Sequence, residues 1–503
     1  MATAAAAVAR GKPLRQLLPF ALLIVAALAF GRSDGQFPNA PLLVALAFGA
    51  LAFLPNNPAW AVAPLLVVEL TLNDYILNEA GLSVRLAVAI VAAAVSAKLV
   101  LGGLSFRDPR VRRILLPALA FVVAATVIDA QTSASDYTFK YFRYQLSGLL
   151  FLLVPATTVK DRRSVSVVLA VALAFGAASG FAGLWQHADR QGTIFGAANA
   201  EIFSSWKGRS IGLSSNPVNM ANNMLFVLGP LAGFFAAGVL PRGRMRLIVG
   251  GAFLLLMGGL YFTYTRSGLL ALGAGVAGAA LVLTGRRRNQ ILGAVVVLFV
   301  LFQLATAVGV IGGRYTKTAS NDRSAASHDA LLTVALAVAA DNWVLGIGHE
   351  HFEEVSAEYA FLLQNEDFEV GGQDAVGEMP AHNDFLSVII SWGIFGFVPY
   401  VALIVGTIVN CAAAARRDDR LVRGAAVGCA CGLVAYLTNS AFHNSLDSSA
   451  ALWLYAGFSV ALSRLPEQPS DDRRRTTRRR SPRGRSDRRR PTARVAAQYA
   501  FGG

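Results

Sequence analysis

A histidine, a few arginines and a dense set of carboxylates are the groups in this sequence able to do chemistry, and they sit at the edges of apolar runs. His382 lies in Met379-Pro-Ala-His-Asn-Asp-Phe-Leu386, directly ahead of an apolar stretch that continues as SVIISWGIFGFVPYVALI. An imidazole there faces water and a membrane-embedded substrate together, and its ordinary pKa near 6.5 fits a general base. A histidine that only hydrogen-bonds to hold structure is the reading that stands beside it. Arg266 lies in Tyr261-Phe-Thr-Tyr-Thr-Arg-Ser-Gly268, in a tight hairpin between two apolar runs. Amid Thr265, Ser267 and Gly268, its guanidinium is better suited to binding an anion than to snorkelling towards water.

Arg314, Lys317 and Arg323 open a long polar segment, and a cationic end next to a membrane suits a lipid-linked phosphate. Arg209 closes a shorter one, Gly208-Arg-Ser-Ile-Gly-Leu-Ser-Ser-Asn-Pro217, where Asn216 and Pro217 read as helix-capping chemistry. From Glu350 to Asp384 there are ten acids and no lysine or arginine. Such a stretch can hydrogen-bond sugar hydroxyls or hold a divalent ion, but a solvated acidic face is the commoner outcome. His349 and His351 flank Glu350 and with His382 make a conceivable zinc set. Their spacing lacks the i, i+4 helical repeat of metal motifs, which favours no metal.

The elements that must position these groups are membrane helices. The chain is 55% hydrophobic and only 15% charged, with a mean hydropathy of +0.51, too apolar for a soluble domain of ordinary composition. Its apolar runs are continuous instead of alternating, which favours helices over a β-barrel. Runs at 17–31, 40–55, 59–73, 82–104, 114–128, 144–158, 164–184, 217–240, 246–263, 267–284, 291–311, 385–410, 424–440 and 448–463 predict an all-α polytopic membrane protein. About 12–14 transmembrane helices are expected, with one large periplasmic loop that contains an amphipathic helix over 329–343. Arginine and lysine recur on alternate loops, at 107–113, 160–163, 242–246, 286–288 and 416–423. The positive-inside rule then puts both termini in the cytoplasm, and segments 185–216 and 312–384 outside a bacterial inner membrane.

Thirteen arginines against four acids between Arg464 and Arg494 supply nine of the fifteen net positive charges. A tail over 464–503 without apolar periodicity is expected to be disordered and to meet anionic lipid, not nucleic acid. Cys411, Cys429 and Cys431 all fall in apolar runs and read as small core residues. The domain division is 1–204 for N-terminal helices, 205–463 for the functional membrane domain with its loop 312–384, and 464–503 for the tail.

Taken in order, several stretches resemble the O-antigen ligase and polymerase superfamily of bacterial inner-membrane glycosyltransferases. They are GRSIGLSSN at 208–216, TRSGLLAL at 265–272, Arg323 with the helix after it, NWVLGIGHEHF at 342–352, His382-Asn383 through Gly393-Ile-Phe-Gly396, and His443-Asn-Ser-Leu446. The resemblance covers roughly 205 to 460. It implies metal-independent transfer of a glycan from undecaprenyl pyrophosphate, without cofactor, to lipid A-core sugar or to a second lipid-linked glycan. It also implies His382 as the base, and Arg266 and Arg323, with Arg209 and Arg314 beside them, as pyrophosphate ligands; Asn383, His349 and Glu350 would support the loop and acceptor. Glu350 and His351 depart from the small residues that commonly follow these glycines. A peptidoglycan glycosyltransferase of the shape and division type lacks its acidic catalytic residue here. A flippase or transporter would carry its polar groups near the midplane.

Overall fold

The computed structural model describes residues 53–54, 56–71, 84–132, 135–193, 200–201, 204–239, 243–307, 323–363, 376–446 and 449–467. The apolar run 17–31, most of the run 40–55, Arg314, the acids at 366–374 and the tail beyond 467 lie outside them. Among the described residues every regular element is helical. The chain runs through α1 (Ala63–Thr71), α2 (Val84–Val95), α3 (Ala97–Gly103), α4 (Pro109–Thr132), α5 (Ser135–Thr158) and α6 (Arg162–Ala188). It continues with α7 (Pro217–Ala236), α8 (Arg244–Phe262), α9 (Arg266–Val282), α10 (Gly285–Ala307) and α11 (Arg323–Asn342). A short α12 (Phe352–Glu358) precedes α13 (Asp384–Ala415), α14 (Arg420–Ser440) and α15 (Ala451–Arg464).

Six of these, α4, α6, α7, α8, α13 and α14, are long and apolar enough to cross a membrane. They expose large apolar side chains such as Val123, Leu247, Leu254 and Val398, a surface that suits lipid and not water. The protein is an all-α polytopic membrane protein. The run 82–104 is not one span: it is divided into α2 and α3 at Ser96, whose hydroxyl donates back to Ala92 O. Helix starts follow capping chemistry. Asp161, Asn216, Asn383 and Asp419 each accept backbone N–H bonds from the first turn of α6, α7, α13 and α14.

The loops that charge assigns to opposite sides keep company within their own set. At one end, Arg113 donates to Asn410 Oδ1, Arg162 pairs with Asp419 and Arg464 pairs with Asp108. At the other end, Ser210 N donates to Phe262 O, and Ser445 N to Asp384 Oδ1. Between them α14 packs on α7 backbone to backbone: a Cβ on Gly229 or Gly233 would lie 2.3 or 2.1 Å from the Cα of Gly432 or Gly428. Without side chains between the helices, van der Waals contact replaces the hydrophobic drive that lipid does not supply. The three cysteines are free and buried, as their apolar neighbours predict.

Two departures shape this second end. The amphipathic helix begins at Arg323, six residues before the expected start, so Arg323 is its first residue. It buries Leu331, Val334 and Val338 against Ile390 and Phe352, and it exposes Leu332 and Leu336. The run 385–410 is helical but broken at Trp392 and Gly393, the latter at φ 54, ψ −155, a region essentially confined to glycine. The groups freed by the break find partners in the segment 343–348. Ile347 N and Gly348 N donate to Ile390 O and Ser391 O at 2.8 and 2.9 Å, and Ile394 N donates to Trp343 O at 2.8 Å. Non-helical backbone at such a depth is tolerated only when its polar groups are met by protein in this way.

Candidate active site

The site is assembled from polar segments that cap the helices at one end of the bundle. The 208–216 segment is fixed first. Gln186 on α6 accepts from Ile211 N and Gly212 N and donates to Gly212 O, so one side chain meets three backbone groups of a turn that has no ladder of its own. Arg209 then reaches across: its Nε donates to Thr263 O at 2.8 Å and its Nη2 to Thr265 Oγ1 at 3.0 Å. The turn it grips includes Tyr264 at φ 51, a left-handed conformation that costs a non-glycine residue free energy and that this grip helps to hold. Arg266 follows directly as the first residue of α9, half-buried.

Ser267, the next residue, lies with its Oγ 2.8 Å from His443 Nε2. His443 stands on the segment after α14, and that segment is tied down twice. Asp384, fully buried at the start of α13, accepts from Ser445 N and Leu446 N at 2.7 and 3.1 Å. Glu69, buried on α1, accepts from Ser449 Oγ and from Ala450 N. His328 on α11 completes the group, its ring centroid 5.2 Å from that of His382 and 6.0 Å from that of His443. Three imidazoles therefore gather at the boundary of the bundle.

Burial, with the neighbouring His328, pushes the pKa of His382 down to about 4. Burial, with His328, His382 and Arg209, pushes that of His443 down to about 3. Both causes disfavour the charged ring, so the two are neutral at physiological pH. His382 also sits at φ 50. Its Nδ1 is buried without a hydrogen-bond partner among the described residues, which leaves Nε2 as the nitrogen within reach of a ligand.

The expected site residues divide. His382, Arg266 and Arg209 share this end of the bundle, and Arg323 begins the helix that carries His328. Asn383 is a helix cap that accepts from Phe385 N and Leu386 N. His349 stacks on Trp392 and lies tilted against Tyr141, with ring centroids at 5.7 and 4.0 Å, while its backbone N–H donates to Asp129 Oδ1. Trp392 is eight residues into α13, about 12 Å along its axis from the helix start, so His349 braces the break and is not beside His382. Glu350 is exposed at φ 65 on the turn that follows, and His351 lies 3.5 Å from Glu354. The three histidines weighed as a zinc set thus have different partners. Among the described residues no three His, Cys, Asp or Glu side chains form a metal-binding group.

His328, His443, Asp384 and Gln186 are the residues that sequence reasoning missed. His443 left a trace as the first residue of the last motif, and Asp384 as one acid of the 350–384 stretch. Against known proteins, residues 251–401 match the family model described as O-antigen ligase. No curated protein matches the chain.

Proposed function

We propose that this chain, whose residues 251–401 match the family model described as O-antigen ligase, carries out glycosyl transfer of the ligase or polymerase type and moves a glycan from undecaprenyl pyrophosphate to a sugar hydroxyl. The transfer takes place at the outer face of a bacterial inner membrane, and the acceptor is lipid A-core or a second lipid-linked glycan. The observation that carries this reading is the meeting of His382 with the Arg209, Arg266 and His443 segments at one end of a lipid-facing bundle. That is where a membrane-anchored donor presents its pyrophosphate. His382 takes the proton of the acceptor hydroxyl as the oxygen attacks the anomeric carbon. The bond from that carbon to the pyrophosphate oxygen breaks, and the electron pair leaves with the phosphate. Arg266 and Arg323 meet the growing negative charge, so neither a general acid nor a metal is needed.

The test is glycan transfer by purified protein in liposomes with EDTA present, offering lipid A-core and lipid-linked acceptors separately. His382→Ala should lower turnover roughly 10²–10⁴-fold while donor binding persists. Near-normal transfer by that variant would remove His382 from the chemistry, and loss of wild-type transfer in EDTA would bring metal in.

A further inference from the structure

We propose that His443 is a second ligand of the donor pyrophosphate, a neutral imidazole whose Nδ1–H hydrogen-bonds the leaving phosphate oxygen; this rests on the donor reading above. His443 lies where the other segments converge. Its Nε2 is 2.8 Å from the hydroxyl of Ser267, the residue after Arg266. Its ring lies edge-on to His328 at 6.0 Å, and His382 and Arg209 are near enough to disfavour its charged form. The segment that follows it is held twice, by Asp384 through Ser445 and Leu446 and by Glu69 through Ser449 and Ala450. Two buried carboxylates from distant helices spent on one short segment fix the position of the ring closely.

The tautomer follows from the partner. If Ser267 Oγ–H donates to Nε2, that nitrogen is unprotonated, and a neutral ring must then carry its hydrogen on Nδ1. Among the described residues Nδ1 has no hydrogen-bond partner, and it is not sealed from solvent. The next residue, Asn444, has a buried Oδ1 that is likewise without a partner. An N–H donor held beside the start of α9, within the field of Arg209, is matched by a phosphate oxygen. When the anomeric carbon–oxygen bond breaks, the electron pair settles on that oxygen and the Nδ1–H bond strengthens. No proton is transferred, and the acceptor's proton rests on His382.

Two side chains separate this role from a purely structural one. Asparagine places an amide N–H near the Nδ1 position but loses Ser267, whereas glutamine reaches Ser267 but has no donor at Nδ1. Full-length protein in liposomes is titrated with undecaprenyl pyrophosphate, and transfer is measured in parallel. His443→Gln should weaken binding and lower kcat/KM at least 10-fold, while His443→Asn stays within about 3-fold. The reverse order, or wild-type binding by His443→Gln, would overturn the assignment and leave the glycosyl-transfer reading standing. Failure of the wild type itself to bind undecaprenyl pyrophosphate would remove both. Ser267→Ala, which keeps the ring and frees its tautomer, should fall between the two variants; wild-type binding by it would overturn the tautomer step.

Discussion

Asp384 holds the backbone of Ser445 from 61 positions away, its Oδ1 accepting the Ser445 amide at 2.7 Å and that of Leu446 at 3.1 Å. One carboxylate thereby sets the height of His443 against the start of the helix that follows His382. Asp384→Ala leaves two amide groups without their acceptor, and each buried orphan costs about 1–3 kcal/mol. The variant should melt lower in detergent and lose most of its transfer activity. Asp384→Asn keeps an acceptor oxygen and should retain more of both. Equal melting temperatures for Ala and wild type would show that the tie bears no load.

The left-handed break in α13 gives a second expectation. A Cβ on Gly393 would lie 2.2 Å from Val344 O, at a backbone conformation closed to alanine. Gly393→Ala should destabilise by more than about 2 kcal/mol. Gly273→Ala, on α9 with nothing within 4 Å of its new methyl, should be neutral or slightly stabilising. Thermal unfolding of the two variants side by side makes the comparison.

Arg209 and Arg266 should prove non-additive. Arg209 has committed its Nε and Nη2 to the turn that ends at Thr265, so its contribution runs through the placement of Arg266. A lysine cannot reproduce a fork that engages two acceptors at once. Either Arg→Lys change should lower kcat/KM by roughly 10-fold, and the double variant should be little worse than the single ones. Two independent anion ligands would instead multiply their losses.

The depressed histidines set the pH behaviour. For the free enzyme the acid limb of kcat/KM should fall near the pKa of His382, about 4, and not near 6.5. A bound pyrophosphate favours the charged ring, so the acid limb of kcat should lie higher. Stability follows the same sign. Above pH 6.5 neither the folded nor the unfolded chain protonates these rings. As pH falls from 6.5 towards 3–4, only the unfolded chain takes up the protons, and stability is lost. His443→Gln should flatten that part of the melting-temperature profile, and an unchanged slope would count against a buried neutral His443.

Much of this architecture was legible in the sequence. Continuous apolar runs fix most helices, because lipid requires backbone groups to be met within the segment. Asn216 and Pro217 mark a helix start on their own, and Asp384 was visible as a carboxylate, though as one of ten in an acidic stretch. Its burial was not visible, because the amides it serves belong to another helix connection. The pairing of Ser267 with His443 spans 176 positions, and no local pattern encodes it. Gly393 sits inside an apolar run that satisfies every length rule for a span. Its break shows only once Gly346 and Gly348, both at positive φ, are seen against it. The resemblance implies His349 and Glu350 as loop and acceptor support; in the fold one braces the break and the other is exposed on its turn.

The stitching of residues 343–348 into the broken helix has a mechanical consequence. To lift that segment from α13 would break the bonds at Ile347, Gly348 and Ile394 at once and leave their backbone groups unpaired. It is an anchor, and His349 at its end is itself moored, its amide donating to Asp129 on α4. Donor and acceptor would then enter past a stationary wall.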